Sequence, residues 1–353
     1  MNRINVVDFF CGCGGTSAGL RNAGLNVVAG IDLDPEAGAT FRLNFPEAAF
    51  LNYDIRNLST QVFSQSIEID ASAPLLISAC APCQPFTKQK TTQRKSDARA
   101  FLLDELHRFI EHLLPEYILV ENVPGLQKIK MNDGPLGRFI KFLGSCGYSY
   151  DVKILKSHDY GVPQIRHRLV LVASKLGPVS VPSPTHGPGT ANEQYEDVWK
   201  WIGDLPEIAA GEECALIPNH RAANLSPVNL QRISLTPEGG SRLDWPEELR
   251  LACHKDHTGH TDVYGRLWKT RPAAALSTRC ISLSNGRYGH PTQNRALSIR
   301  EAARLQTFSD DFAFLGSMNS MARQIGNAVP VRLAEVMGLH ILEHHGNVTA
   351  PKA

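Results

Sequence analysis

The sequence predicts a doubly wound, mostly parallel α/β sheet followed by a smaller, loop-rich domain, and two observations carry that expectation. Short apolar runs at residues 4–10, 26–31, 75–78 and 117–120 read as parallel strands covered on both faces, where polar alternation is lost. Amphipathic stretches at 15–23, 35–44, 101–114 and 136–146 read as the helices between them, and this alternation builds a sheet with helices on both faces. After a further strand at 168–173 come Gly177-Pro178, Pro182, Pro184 and Gly187-Pro188-Gly189, a run of chain breakers that reads as a domain boundary. From about residue 191 to 291 there is little periodicity but much Pro, Gly, His and Trp; helical signals return at 298–307 and 331–345. The expected division is 1–180 with 318–353 as one domain and 181–317 as the second.

A chain of 353 residues suits about two domains at the usual ~100–200 residues each. No stretch approaches the ~18 apolar residues of a membrane span, and no charged-then-apolar leader precedes the first strand, so a cytoplasmic protein without a membrane partner is expected. The eight cysteines should then be reduced thiols. A net charge of +1 decides nothing about nucleic acid, because binding needs a basic face and not a basic average. Locally, residues 87–99 hold Lys88, Lys90, Arg94, Lys95 and Arg99 against the single acid Asp97. That loop fits a polyanionic substrate, and a solvated surface loop is the competing reading.

In a doubly wound sheet ligands bind beyond the carboxyl ends of the strands, and the chemically suggestive residues fall there. The segment from Asp8 through Phe10, Gly12, Gly14 and Gly15 closes the first strand and opens a helix, where glycines let backbone amides approach a ligand. The dinucleotide fingerprint is incomplete, since its third glycine is displaced. Asp32 ends the second strand about 20 residues on, where an acid accepts ribose hydroxyls. A nucleoside without a pyrophosphate fits this pattern, which points to S-adenosylmethionine. Asp54 could take the adenine amino group, with a helix cap as its competing reading.

Cys83 stands on a proline-stiffened loop, Cys80-Ala81-Pro82-Cys83-Gln84-Pro85, directly after an apolar strand. A fixed, partly exposed thiol suits covalent catalysis; a buried inert cysteine and a redox pair with Cys80 are the alternatives. Zinc would need a second ligand pair, and the nearest set, Cys253, His254, His257 and His260, reads as substrate-contacting or structural, so no metal is expected. Glu121 ends the next strand beside the Cys83 loop, where it either does chemistry or pairs with Arg166 or Arg168.

With these residues in view, the chain resembles the DNA cytosine-5 methyltransferase family, of bacterial or phage type. Pro82-Cys83-Gln84 is similar to its nucleophile motif, Glu121-Asn122-Val123 to its acid motif, and Gln164, Arg166 and Arg168 to its glutamine-x-arginine-x-arginine motif. Arg295 with residues 300–306, and residues 324–330, are similar to two later motifs. The resemblance implies that Phe10 stacks on adenine, that Asp32 holds the ribose, and that Asp54 and Ile55 contact the base. It also implies that Leu33, Pro82, Asn327 and Ala328 help to line the cofactor pocket. Two positions depart from the family: Asp32 stands where glutamate is common, and Leu33 where an aromatic is common. Thr87 stands where bacterial DNA enzymes usually carry serine, as in the branch that methylates transfer RNA.

The implied reaction moves a methyl group from S-adenosylmethionine to carbon 5 of cytosine in a specific double-stranded DNA sequence, leaving S-adenosylhomocysteine. Cys83 adds to carbon 6, and Glu121 donates a proton or hydrogen bond to the ring, provided the site keeps it protonated. Arg166 and Arg168 orient the base and Glu121. A stacked cytosine is closed to this chemistry, so the base must be flipped out at a cost of a few kcal/mol. Phosphate contacts are expected from Lys88, Lys90, Arg94 and Arg99, with Gln84, Arg271 and Arg279 also facing DNA. A monomer is expected, with a companion restriction endonuclease as a functional partner. The rival readings are a transfer-RNA cytosine-5 methyltransferase and a catalytically inactive regulatory homologue.

Overall fold

A computed structural model describes residues 4–82, 102–125, 134–252, 259 and 261–350. The described chain groups into two compact units that it enters alternately: 1–156, 167–184 and 329–353 form the first, and 157–166 with 185–328 the second.

The first unit is built on a seven-stranded sheet in the order β3-β2-β1-β4-β5-β8-β6. Its strands are β1 (Asn5–Phe9), β2 (Asn26–Asp32), β3 (Ala49–Asn52), β4 (Leu75–Ala79), β5 (Tyr117–Asn122), β6 (Ser149–Lys156) and β8 (His167–Ser174). The five on the β3 side run parallel; β8 is antiparallel to β5, and β6 antiparallel to β8. Strands β1, β4 and β5 are buried throughout, which is why they read as unbroken apolar runs. The edge strand β6 carries no such run, with Tyr150 and Ile154 exposed, and is not signalled by any apolar pattern.

Side chains alternate between the two faces of each strand. One face, with Val7, Phe9, Ile77, Ile118 and Val120, packs on α3 (Thr60–Ser66), α4 (Leu106–Leu113) and α5 (Pro135–Ser145), where Phe9, Phe63 and Phe109 meet ring to ring. Asp8, Ser78, Leu119 and Glu121 point the other way, and there Thr16 of α1 (Gly15–Asn22) and Leu333 and Met337 of α10 (Val331–Thr349) line a small cavity with Ser78 and Glu121. The remaining helix, α2 (Pro35–Asn44), is capped by Asp34, which accepts from the amides of Glu36 and Ala37.

The second unit has little regular structure: a two-stranded parallel pair, β7 (Gln164–Ile165) with β9 (Ala273–Ala274), and the helices α6 (Val198–Ile202), α7 (Pro227–Ser234), α8 (Ile299–Leu305) and α9 (Met318–Asn327). Loops leave carbonyls without ladder partners, and buried arginines supply the donors. Arg266 reaches the carbonyls of Ile233, Thr236, His290 and Gln293; Arg300 reaches those of Pro218, Ser309 and Phe312. A small apolar cluster of Ile233, Trp245, Leu249, Tyr264, Leu283 and Ala296 lies among them. Two segments fall in this unit that the sequence assigned to the first. Residues 157–166 join it because β7 pairs with β9, and α9 joins it because Gln306 donates to the carbonyl of Ile325. Among the described residues no helix is long and apolar enough to cross a membrane.

Candidate active site

The turn after β1 is shaped by three residues with positive φ: Phe10 at 57°, Gly12 at 55° and Gly14 at 99°. The two glycines serve different ends. A Cβ on Gly14 would lie 2.5 Å from the Phe45 ring, so packing requires glycine there, whereas a Cβ on Gly12 would meet nothing within 4 Å among the described residues. Gly12 therefore marks the open side, where a ligand can approach the backbone. The Gly12 amide donates to Asp32 Oδ2 at 2.8 Å and the Asp34 amide to Oδ1 at 2.8 Å. Each oxygen of this carboxylate keeps a further lone pair, which suits a ribose diol. Burial raises the pKa of Asp32, partly offset by these amide bonds.

Asp8 requires a correction. It was expected to touch the cofactor, yet it is 0% exposed and accepts the Ser17 hydroxyl at 2.6 Å, so it ties β1 to α1 beneath the turn. Leu33 is 62% exposed and Ile55 buried. Asp54 caps the short turn that follows it, accepting from the Arg56 amide, and both of its oxygens accept from the Arg56 guanidinium, which lowers its pKa. The side-chain amide of Asn52, a residue the sequence did not single out, bonds the carbonyls of Asp32 and Leu33 and so joins the ends of β2 and β3.

On the catalytic side, the Cys80 amide donates to the Phe9 carbonyl at 3.2 Å, and Asn122 Nδ2 donates to the Ala81 carbonyl at 3.1 Å. Neighbouring strands thus fix the base of the Pro82 loop on both sides. Pro82 itself is exposed. Cys83, Gln84, Lys88, Lys90, Arg94 and Arg99 lie outside the described residues, as do Cys253, His254, His257 and His260.

Glu121 is 7% exposed at the end of β5. Arg168 Nε stands 2.5 Å from Oε1, an ion pair, and the Cys80 thiol donates to Oε2 at 2.9 Å. The other members of the motif belong to the second unit. Arg166 donates to the carbonyls of Leu276, Gly326 and Ala328, and Gln164 bonds Leu276, Leu305 and Gln306. Asn327, exposed, and Ala328, buried, also belong to that unit, as do Arg279 and Arg271, whose guanidinium lies 4.8 Å over the Trp268 ring. The two thiols in the glycine turn are poor nucleophiles: burial pushes Cys13 up to about 12 and Cys11 well above the usual thiol range.

The family profile of C-5 cytosine-specific DNA methylases matches residues 4–343. The chain belongs to that family. It is 37% identical over 346 residues to the Type II methylase M.HgiDII of Herpetosiphon aurantiacus, an alignment covering 95% of this chain and 94% of that one. It is 32% identical over 353 residues to the Type II methyltransferase M1.HphI of Haemophilus parahaemolyticus, covering 98% and 88%. Among solved structures it resembles the S. pombe Dnmt2 methyltransferase, with a TM-score of 0.65, 19% identity and coverage of 97% and 99%. At that identity the likeness speaks for the fold alone, which is the methyltransferase α/β fold.

Membership of the C-5 cytosine-specific DNA methylases makes the chain a methyltransferase that acts on cytosine carbon 5 in DNA and uses S-adenosylmethionine. Three residues to which no role was assigned from sequence brace this candidate site: Asn122, Asn52 and Ser17. Asn122 was in view inside Glu121-Asn122-Val123, but only the fold reveals that its amide holds the Ala81 carbonyl.

Proposed function

We propose that Cys83 is the nucleophile and Glu121 the acid of a cytosine-5 methyl transfer into a specific double-stranded DNA sequence, with the target base flipped out of the helix. The observation that carries this reading is the convergence at the ends of β4 and β5. The Cys80-Ala81-Pro82 stem leading to Cys83 is tied to Asn122, the neighbour of Glu121, and Glu121 is held from both sides. Asp32, braced by the amides of Gly12 and Asp34, is the residue best suited to hold the ribose of S-adenosylmethionine, with Phe10 and Ile55 beside the adenine. When bound, that group supplies a methyl carried on a sulfonium. In the reaction the Cys83 thiolate forms a bond to cytosine carbon 6, and the displaced electron pair makes carbon 5 nucleophilic while Glu121 hydrogen-bonds the ring nitrogen and amine. Loss of the carbon 5 proton then expels the thiolate and restores the double bond. Arg168 orients Glu121, and Arg166 organises the segment that ends in Asn327 and Ala328.

The second unit is assigned to target recognition, with Arg271 and Arg279 facing DNA, and the basic residues Lys88, Lys90, Arg94 and Arg99, with Gln84, to contacts near the flipped base. The naming of the relatives as Type II enzymes supports a restriction-modification role with a companion endonuclease. Cytoplasmic action as a monomer completes the reading. The test is transfer of labelled methyl from S-adenosylmethionine to unmethylated genomic DNA and, in parallel, to unmodified transfer RNA, with Cys83→Ser as control. Label in DNA that vanishes in Cys83→Ser supports the reading. Label confined to RNA, or label that survives the substitution, overturns it.

A further inference from the structure

We propose that Cys80 is a positioning residue for Glu121, setting the orientation of its carboxyl group; this rests on the catalytic role assigned above to Glu121. The register brings the two together, because Ala79 pairs with Val120 across the parallel β4/β5 ladder and the next residues along are Cys80 and Glu121. The thiol cannot drift, since the Cys80 amide is bonded to the Phe9 carbonyl and the following Ala81 carbonyl to Asn122. At Glu121 the two partners differ in kind: Arg168 is a fixed positive charge at Oε1, and Cys80 is a neutral hydrogen-bond donor at Oε2.

That difference has chemical consequences. A thiol is a weak, neutral donor, so it holds Oε2 in place without adding a second positive charge beside Arg168. An alanine would leave that oxygen without this contact. Among the described residues, the titratable or charged groups that reach Glu121 are Cys80 from the β4 side and Arg168 from β8. Helix α1 presents Thr16 and α10 presents Leu333 and Met337 to the same cavity.

The experiment compares wild type, Cys80→Ala and Cys80→Ser in methyl transfer to DNA, with kcat and KM determined separately. Misplacing a reacting group by about 1 Å costs on the order of 100-fold, so Cys80→Ala should lose roughly 10- to 100-fold in kcat while KM for DNA and for S-adenosylmethionine stays within about twofold. Cys80→Ser, which keeps a donor, should recover most of the activity. Thermal melts and cofactor binding verify that both variants are folded. An unchanged kcat in Cys80→Ala, a loss that appears in KM and not in kcat, or a loss that serine does not rescue, overturns the proposal. If instead Cys83→Ser retains activity, the broader reading fails and not this one.

Discussion

Asp8 carries the clearest consequence at the scale of single residues. Burial pushes it from 3.8 up to about 6, against the opposing bonds from the Ser17 and Ser78 hydroxyls. Between about pH 4 and 6 the folded chain thus holds this proton more tightly than the unfolded chain does. Its contribution to stability falls as pH rises through that window and settles above it as a cost of about 3 kcal/mol, at roughly 1.4 kcal/mol per pH unit. Asp8→Asn cannot ionise and can still accept from Ser17, so its melting temperature relative to wild type should be higher at pH 8 than at pH 4.5. An equal difference at both pH values would refute this account. Sequence alone located Asp8 at the right turn but assigned it to the ligand, because a strand-end aspartate looks the same whether it faces outward or inward. The place of Asp32 was easier to read, because its spacing from the glycine turn matches the end of β2, where the Gly12 amide reaches its carboxylate; its role at a ribose remains the proposal made above. The Cys80 contact was not legible, since it depends on β4 and β5 being neighbours in register, which no local pattern encodes.

Among the elements, helices with capping signals were read most closely. Residues 35–44 were expected as a helix and form α2 with those bounds, because Asp34 and Pro35 announce its start. Strand β6 was missed since an edge strand half open to water lacks the continuous apolar run. Helix α9 was missed because its last residues had been read as a motif and not as a helix. The joint between α1 and α10 offers a direct test. A Cβ on Gly19 of α1 would lie 2.3 Å from the Val331 carbonyl oxygen and 2.6 Å from the Ala334 Cβ, with backbone that cannot step aside. Although alanine is the better helix former by about 1 kcal/mol, overpacking of this kind costs about 1–3 kcal/mol. Gly19→Ala should therefore lower the denaturation midpoint, and a raised midpoint would show that the two helices can separate freely.

For the whole molecule, the fold class was legible but the division of the chain was not. Breakers at 177–189 signalled a boundary, yet the units interleave: residues 157–166 cross into the second and 167–184 return. Such crossings are made by a two-residue strand pair and by buried polar side chains, which leave no compositional trace. Neither unit is a continuous stretch, so cutting the chain harms more than the piece removed. Ending it at Pro330 deletes α10 and with it Val331, Leu333, Ala334, Val336, Met337 and Ile341 from the interior. The truncated protein should be insoluble, or should bind a hydrophobic dye and melt without a cooperative transition; a soluble, cooperatively melting product would contradict this.

The packing of α1 against α10 also bears on how the enzyme is born. Roughly 300 residues separate the two helices, and at about 5–20 residues per second the ribosome needs roughly 15–60 s to cover that distance. During this time α1 has emerged with the face that α10 will cover still bare. The glycine turn that α1 anchors is completed only once α10 has emerged from the ribosome, so a nascent chain withholds its modifying activity at least until then.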